Sequence, residues 1–380
     1  MNYSEQSLIE HKKYKGKLAI ASTFPLETRD DLAVAYTPGV AEPCREIAKD
    51  KSLAYEYTIK GRSVAVVTDG SAVLGLGNIG PEAGLPVMEG KAILFKRFAN
   101  IDAYPICLAT QNIDEIVATV KNIAPGFGGI NLEDISAPNC FEVERRLIEE
   151  LDIPVMHDDQ HGTAVVVLAG LLNALKLAEK KIEDVHVVIC GAGAAGMGIV
   201  SLLMEVGVRR IDMIDSKGMI AEGREGMNAY KDALAAQINP EKKNGSLADA
   251  LKDADVFIGV SQPNILTAEM IHSMNTKPIV FAMANPTPEI MPDVAKEAGV
   301  FVIATGRSDF PNQANNVLAF PGLFQGALQG RVRKFTSAMF VAAAHAIANM
   351  VASPTVEMIL PTPFTPGVAD AVAKAIQEVE

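Results

Sequence analysis

The stretch VHVVICGAGAAG, residues 185–196, decides the fold of this chain. Its first six residues are apolar and β-branched enough to read as a buried strand, and a glycine-rich turn follows at once. The segment 194–205 then continues at helical spacing. A strand, a G-x-G-x-x-G turn and a helix, in that order, open a dinucleotide site. Gly191 permits the tight turn, and Gly193 lets the backbone approach a pyrophosphate. Gly196 lets the helix pack close to the strand. The free N–H groups at the helix head, on Ala194 and Ala195, then face the anion. Asp215 stands at the end of the next expected strand, where it would accept hydrogen bonds from the adenosine ribose and favour NAD. Ser216, Lys217 and Lys231 could instead hold a 2′-phosphate, so NAD and NADP both stay open.

Toward the C-terminus the pattern repeats. Apolar runs at 211–215, 256–260, 279–284 and 300–305 alternate with helical segments at 230–236, 247–251, 268–274 and 292–298. Continuous apolar strands separated by helices predict a parallel sheet covered on both faces. The expected class is α/β, with a Rossmann-type doubly wound parallel-sheet NAD(P)-binding domain over 157–325. At its start, a mostly apolar helix at 163–179 bridges to an N-terminal α/β catalytic domain, 1–156. That domain has short strands at 63–67, 103–108 and 153–156 and helices at 113–122 and 140–151. From 326 to 380 a helical segment packs back, including one apolar helix over 335–356.

The 380 residues are 49% hydrophobic and 21% charged, an ordinary globular balance. A net charge of −12, from 46 acidic and 34 basic residues, argues against a nucleic-acid binder. The four cysteines, 44, 107, 140 and 190, form no C-x-x-C, and the N-terminus has no apolar signal core. Free thiols in a reducing cytoplasm are expected. The uncharged runs 187–204 and 335–356 contain glycine turns or polar residues, so no membrane span is expected.

Two carboxylate pairs carry the chemistry. Glu133 and Asp134 sit in GGINLEDISAP, and Asp158 and Asp159 in VMHDDQHGTA. Each pair falls at a strand-to-helix transition, the edge where α/β sheets bind ligands. Helix capping explains one such pair alone. Together, four carboxylates repel unless a cation joins them, and oxygen ligands suit Mg²⁺ or Mn²⁺. His157 and His161 flank the second pair, but the all-oxygen surroundings disfavour zinc. Tyr36, before a Pro-Gly turn, and Lys91, expected at the head of an apolar helix, are acid–base candidates or structural groups. Asn285, Asn315 and Asn316 are either amide ligands for a carboxylate or carboxamide, or Asx caps.

The motifs AYTPGVAEPC (35–44), VVTDGSAVLGLGNIGPEAGLPVMEGKA (66–92), INLEDISAPNCF (130–141), HDDQHGTA (157–164), FAMANPTPE (281–289) and TGRSDFPNQANNVLAFPG (305–322), with the glycine turn, resemble the malic enzyme family, above all its short prokaryotic branch. The resemblance spans residues 10–330. It implies oxidative decarboxylation of (S)-malate to pyruvate and CO₂ with a divalent metal and NAD(P)⁺. Glu133, Asp134 and Asp159 match the family's metal ligands. Lys91 matches the base for the C2 hydroxyl, Tyr36 the acid that protonates C3, and Asp158 the supporting acid. Asn285 and Asn316 match substrate- and cofactor-side amides, with Asn315 beside them. Ala72 stands where larger members carry an arginine for a malate carboxylate. A decarboxylase acting on oxaloacetate without net redox is the alternative. The resemblance, and the apolar surface of the 335–356 helix, predict a homodimer whose Tyr36 reaches the neighbouring subunit's site.

Overall fold

The structure is a computed structural model and describes residues 3–379. Two parallel sheets organise it. The first contains β1 (Ser63–Thr68), β2 (Asp102–Cys107), β3 (Gly129–Leu132) and β4 (Val155–His157), in the order β2-β1-β3-β4. Every residue of β1 is buried, as expected for a strand with neighbours on both edges and helices on both faces. The short β3, which carries the first carboxylate pair at its C-terminal end, was too brief to stand out as a strand in the sequence.

The second sheet contains β5 (His186–Cys190), β6 (Arg210–Asp215), β7 (Gly218–Met219), β8 (Val256–Gly259), β9 (Ile279–Ala282) and β10 (Val302–Thr305). Its order is β10-β9-β8-β5-β6-β7. All pairs are parallel except the hairpin of β6 with β7. The chain runs from β5 to β6 on one side, and β8 pairs with β5 on the other. The crevice beyond β5 is therefore the switch point at which open α/β sheets bind ligands. The glycine turn sits there. A Cβ at Gly196 would lie 1.8 Å from Gly191 O, so only glycine lets the helix Ala194–Glu205 start this close to the strand.

The helix joining the two sheets runs Asp158–Ala178, five residues earlier than the apolar pattern predicts. Its first turn is the acidic pair itself, favourable at a helix N-terminus. Its length and apolarity would suit a membrane span, but most of it is buried between the lobes and against the helices Ala194–Glu205 and Ser337–Asn349. The lysine motif also differs from expectation. Its helix runs Pro81–Ala99, so Lys91 lies mid-helix and not at the head.

The C-terminal helices close the core. Phe95 of the Pro81–Ala99 helix meets Phe320 and Phe324 edge-on, at 4.7 and 5.5 Å between ring centroids. Those rings belong to the helix Phe320–Gln329, which is in turn covered by Val368–Gln377. The helix expected over 335–356 is shorter, Ser337–Asn349, and buries Phe340, Ala343, Ala344, Ile347 and Ala348 within the chain. One apolar face of this helix is thus met within the chain. Uncovered apolar surface lies at the N-terminus. The helices Tyr3–Tyr14, Arg29–Ala35, Ala41–Lys49 and Ala54–Tyr57 bury no residue, and Ile20 is 99% exposed.

Phe95→Ala tests how the C-terminal helices are held. Emptying a fully buried aromatic site costs about 3–5 kcal/mol. Calorimetry of the variant is expected to show a clear fall in Tm, and an unchanged Tm would remove the Phe95 cluster as the tie between these elements.

Candidate active site

Strand ends deliver the carboxylates to one place. Glu133 and Asp134 follow β3, and Asp158 and Asp159 follow β4, its parallel neighbour. Carboxylate oxygens of Glu133, Asp134 and Asp159 lie within 4.8 Å of one another. Asp134 adopts φ +55°, a left-handed conformation that aspartate tolerates better than most side chains. Its N–H donates to Asp159 Oδ2 at 2.8 Å, and its C=O accepts from Ala72 N at 2.9 Å. The strained turn is therefore pinned on both sides. Ala72 contributes backbone there and no charge.

Lys91 is buried against this cluster. Its ammonium lies 2.6 Å from Asp158 Oδ2, 2.9 Å from Glu133 Oε1, and 4.2 Å above the Phe320 ring. Burial alone would push its pKa down, but Asp158 and Glu133 outweigh that and hold it above the ordinary lysine value. Burial and like charge act the other way on the acids. Glu133 and Asp158 are raised chiefly by burial, and Asp134 is pushed up to about 7 by burial and by Asp159 beside it. Asp159 is the exception. Burial raises it, but His157 and Lys91 bring it below the ordinary range.

Four carboxylates around one ammonium leave negative charge in excess, and Asp134 Oδ2 is buried with no hydrogen-bond partner. An all-oxygen cluster with an orphaned acceptor fits a hard divalent cation. Glu133, Asp134 and Asp159 could hold it. The histidines beside them are otherwise engaged. His157 Nδ1 pairs with Gln160 at 3.1 Å, while its Nε2 is 3.1 Å from Asp159 Oδ2 but off the line of a hydrogen bond. His161 stacks on Phe340 and reaches Glu144.

The amides divide. Asn316 donates from Nδ2 to Asp158 Oδ2 at 2.5 Å, within the cluster. Asn315 instead caps the short helix Asn316–Leu318, accepting from Val317 N at 3.0 Å. Asn285 lies early in the loop after β9, with its amide beside Gly306 and its backbone carbonyl toward the first lobe. A Cβ at Gly75 would lie 2.2 Å from Asn285 O, so glycine in the LGLG loop lets the lobes meet. Tyr36 is not brought to this place within the chain. It is 67% exposed at the end of the unburied helix Arg29–Ala35.

On the second sheet, Gly191, Asp215, Ser216 and Lys217 line a cavity of about 680 Å³ beside the glycine turn. Gly193 ends the turn with nothing within 4 Å of where a Cβ would stand, which leaves room over the helix head Ala194-Ala195. This cradle fits a dinucleotide. Sequence reasoning missed several supporting groups. Glu289 is fully buried and accepts from Ser261 N at 3.1 Å and Ala284 N at 2.9 Å, tying the loops after β8 and β9 together. Glu144 accepts from His157 N at 2.7 Å and Gln160 Nε2 at 3.0 Å, steadying the turn that carries Asp158 and Asp159. An acid within the apolar run FAMANPTPE was the available signal for Glu289. Glu144 lies in the charged run EVERRLIEE, where nothing marks it.

Comparison with known proteins follows the same two lobes. The family model described as "Malic enzyme, N-terminal domain" matches residues 15–113 and 109–148, and "Malic enzyme, NAD binding domain" matches 160–378. A "Bifunctional malic/malolactic enzyme" of Bacillus subtilis is 57% identical over 379 residues, 99% of this chain and 92% of that protein. An "NAD-dependent malic enzyme" of Geobacillus stearothermophilus is 55% identical over 380 residues, all of this chain and 79% of that protein. The crystal structure of an NAD-dependent malic enzyme from Thermotoga maritima superposes with a TM-score of 0.94 at 52% identity, over 98% of this chain and 99% of that one.

The cluster predicts a pH dependence. Asp134, raised to about 7, keeps a proton in the folded chain that the unfolded chain has already released. Stability from this group is present at low pH and is lost as pH rises through about 7. With a chelator present, the protein is expected to melt lower near pH 8 than near pH 6. Asp134→Asn should flatten that difference, and Mn²⁺ should restore the wild type at the higher pH. An identical pH dependence of Tm in the variant would contradict the assignment.

Proposed function

The chain belongs to the malic enzyme family and acts as an NAD- or NADP-dependent malic enzyme; we propose how its own residues divide the oxidative decarboxylation of malate to pyruvate and CO₂. A divalent cation on Glu133, Asp134 and Asp159 would supply Lewis acidity to the C2 oxygen, and the nicotinamide would accept the C2 hydride. The observation that carries the division of roles is the buried contact of Lys91 with Asp158, 2.6 Å.

Lys91 takes the C2 hydroxyl proton. To do so it must first be neutral, and the neighbouring carboxylate supplies the route. Asp158 Oδ2 already accepts from Nζ at 2.6 Å and is the acceptor in place for that proton, although the resting pair keeps it on the lysine. Asn316 donates to the same oxygen and fixes its orientation. Phe320 shields one side of the ammonium from water. The amide of Asn285, at the meeting of the lobes, orients the substrate or the nicotinamide.

Tyr36 protonates C3 of enolpyruvate, and it does so from a second subunit. Its exposure within one chain motivates this reading, as do the exposed apolar side chains Leu8, Ile20, Phe24, Leu26 and Val34 of the same N-terminal arm. A closed homodimer that buries this N-terminal arm would cover that surface and complete the site. The four cysteines are unpaired, in keeping with a reducing cytoplasm.

Pyruvate formation from malate with Mn²⁺, measured separately with NAD and NADP, tests the activity. Dependence on both the metal and a nucleotide is expected, while pyruvate formed only from supplied oxaloacetate would contradict it. Mixing Tyr36→Phe with Lys91→Ala subunits tests the shared site. Each variant alone should be nearly inactive. At full random exchange half the dimers are hybrid with one intact site each, so about a quarter of wild-type activity should return. Free exchange with no recovery would place both residues in one chain's site.

A further inference from the structure

Asp215 is the last residue of β6, and Gly191 N donates to Ile214 O at 2.8 Å, which sets the Asp215 carboxylate beside the glycine turn. Both carboxylate oxygens are already occupied. Oδ1 accepts from Lys217 N at 2.9 Å. Oδ2 accepts from Arg224 Nη2 at 2.6 Å and from Lys231 Nζ at 3.0 Å. Arg224 is anchored independently, donating from Nη1 to the carbonyls of Gly218 at 3.0 Å and Met219 at 3.1 Å. Among the described residues, no other carboxylate pairs with Arg224 or Lys231. Two cations thus engage one acid, and Lys217 also lines the cavity.

An acid at this strand end suits the ribose hydroxyls of NAD, and an arginine nearby suits the 2′-phosphate of NADP. This chain has both, and pairs them with each other. We propose that Asp215, Arg224 and Lys231 select the nucleotide: the intact set favours NAD, and loss of the single carboxylate exposes a ready-made 2′-phosphate site on Arg224 and Lys231. The inference rests on the dinucleotide reading of the glycine turn. With Asp215 present, a 2′-phosphate meets a carboxylate whose counter-cations are turned toward it. A ribose diol has only to donate to that carboxylate. Without Asp215, Arg224 keeps its two carbonyl anchors and stays in place, so no second substitution is needed to build the phosphate site.

Fluorescence titration with NADH and with NADPH, without malate or metal, isolates binding from the reaction. The wild type should bind NADH more tightly. Asp215→Ser should weaken NADH and strengthen NADPH, each by about ten- to a hundredfold, the worth of one or two hydrogen bonds to a charged partner. Adding Arg224→Gln to Asp215→Ser should abolish the gain for NADPH. Lys231→Gln alone, a change at a partly exposed side chain, should weaken NADPH more than NADH and serves if the Asp215 variants fold poorly. Tighter NADPH binding by the wild type, or equal changes for the two nucleotides in Asp215→Ser or in Lys231→Gln, would overturn the selector. Binding of neither nucleotide by the wild type would overturn the dinucleotide reading itself, and the selector with it.

Discussion

Crowding four carboxylates, three of them buried and Asp159 partly exposed, beside one buried ammonium is the constraint on which this structure turns. Removing charges from water costs several kcal/mol per ion even after relaxation, and like charges at these separations repel. Glu133, Asp134, Asp158 and Asp159 accept that cost because parallel β3 and β4 end side by side, and because Lys91 enters from a helix of the same lobe. The proton affinities follow from this packing. The lysine is held protonated, three acids are raised and Asp159 alone is lowered. A cation on these carboxylates would resolve the imbalance that the fold creates, and the proposed division of roles uses the same imbalance to move a proton between Lys91 and Asp158.

The two lobes are bound to this cluster from opposite sides. The joining helix starts with Asp158 itself, so the acid that pairs with Lys91 is also the first residue of the element leading to the nucleotide lobe. Asn316 returns from beyond β10 to bond Asp158, and Phe320, four residues later, lies under Lys91. The C-terminal helix that begins at Phe320 therefore supports the first lobe although it follows the second in sequence. Glu289 does for the nucleotide side what Glu144 does for the carboxylate side, fixing loops through backbone N–H groups and not through the substrate.

The nucleotide sheet was legible because its signals are local. Apolar strands, turns and helices alternate at short range, and the helix Ala194–Glu205 falls where its spacing places it. The carboxylate pairs were legible as pairs, since each sits at a strand end. Long-range packing was not. Nothing near Lys91 in sequence says that its helix begins at Pro81, because Pro86 and two glycines within it read as breakers and tertiary packing overrides them. Nothing near residue 340 says that its apolar face is met by a helix some 170 residues earlier. Arg224 was invisible as a partner of Asp215 because the loop between them carries no periodic pattern. The apolar residues of the N-terminal arm carry no pattern that marks them as exposed, and their exposure shows only in the fold.

Glu133, Asp134 and Asp159, and not the histidines or the glycine turn, are proposed to hold the divalent cation. Calorimetric titration of Mn²⁺ into the chelator-treated protein, the Asp159→Ala variant and the His161→Ala variant tests it most directly. The account predicts one ion per chain for the wild type, loss of that binding in Asp159→Ala with NADH binding retained, and little change in His161→Ala. Unaltered Mn²⁺ affinity in Asp159→Ala would contradict it.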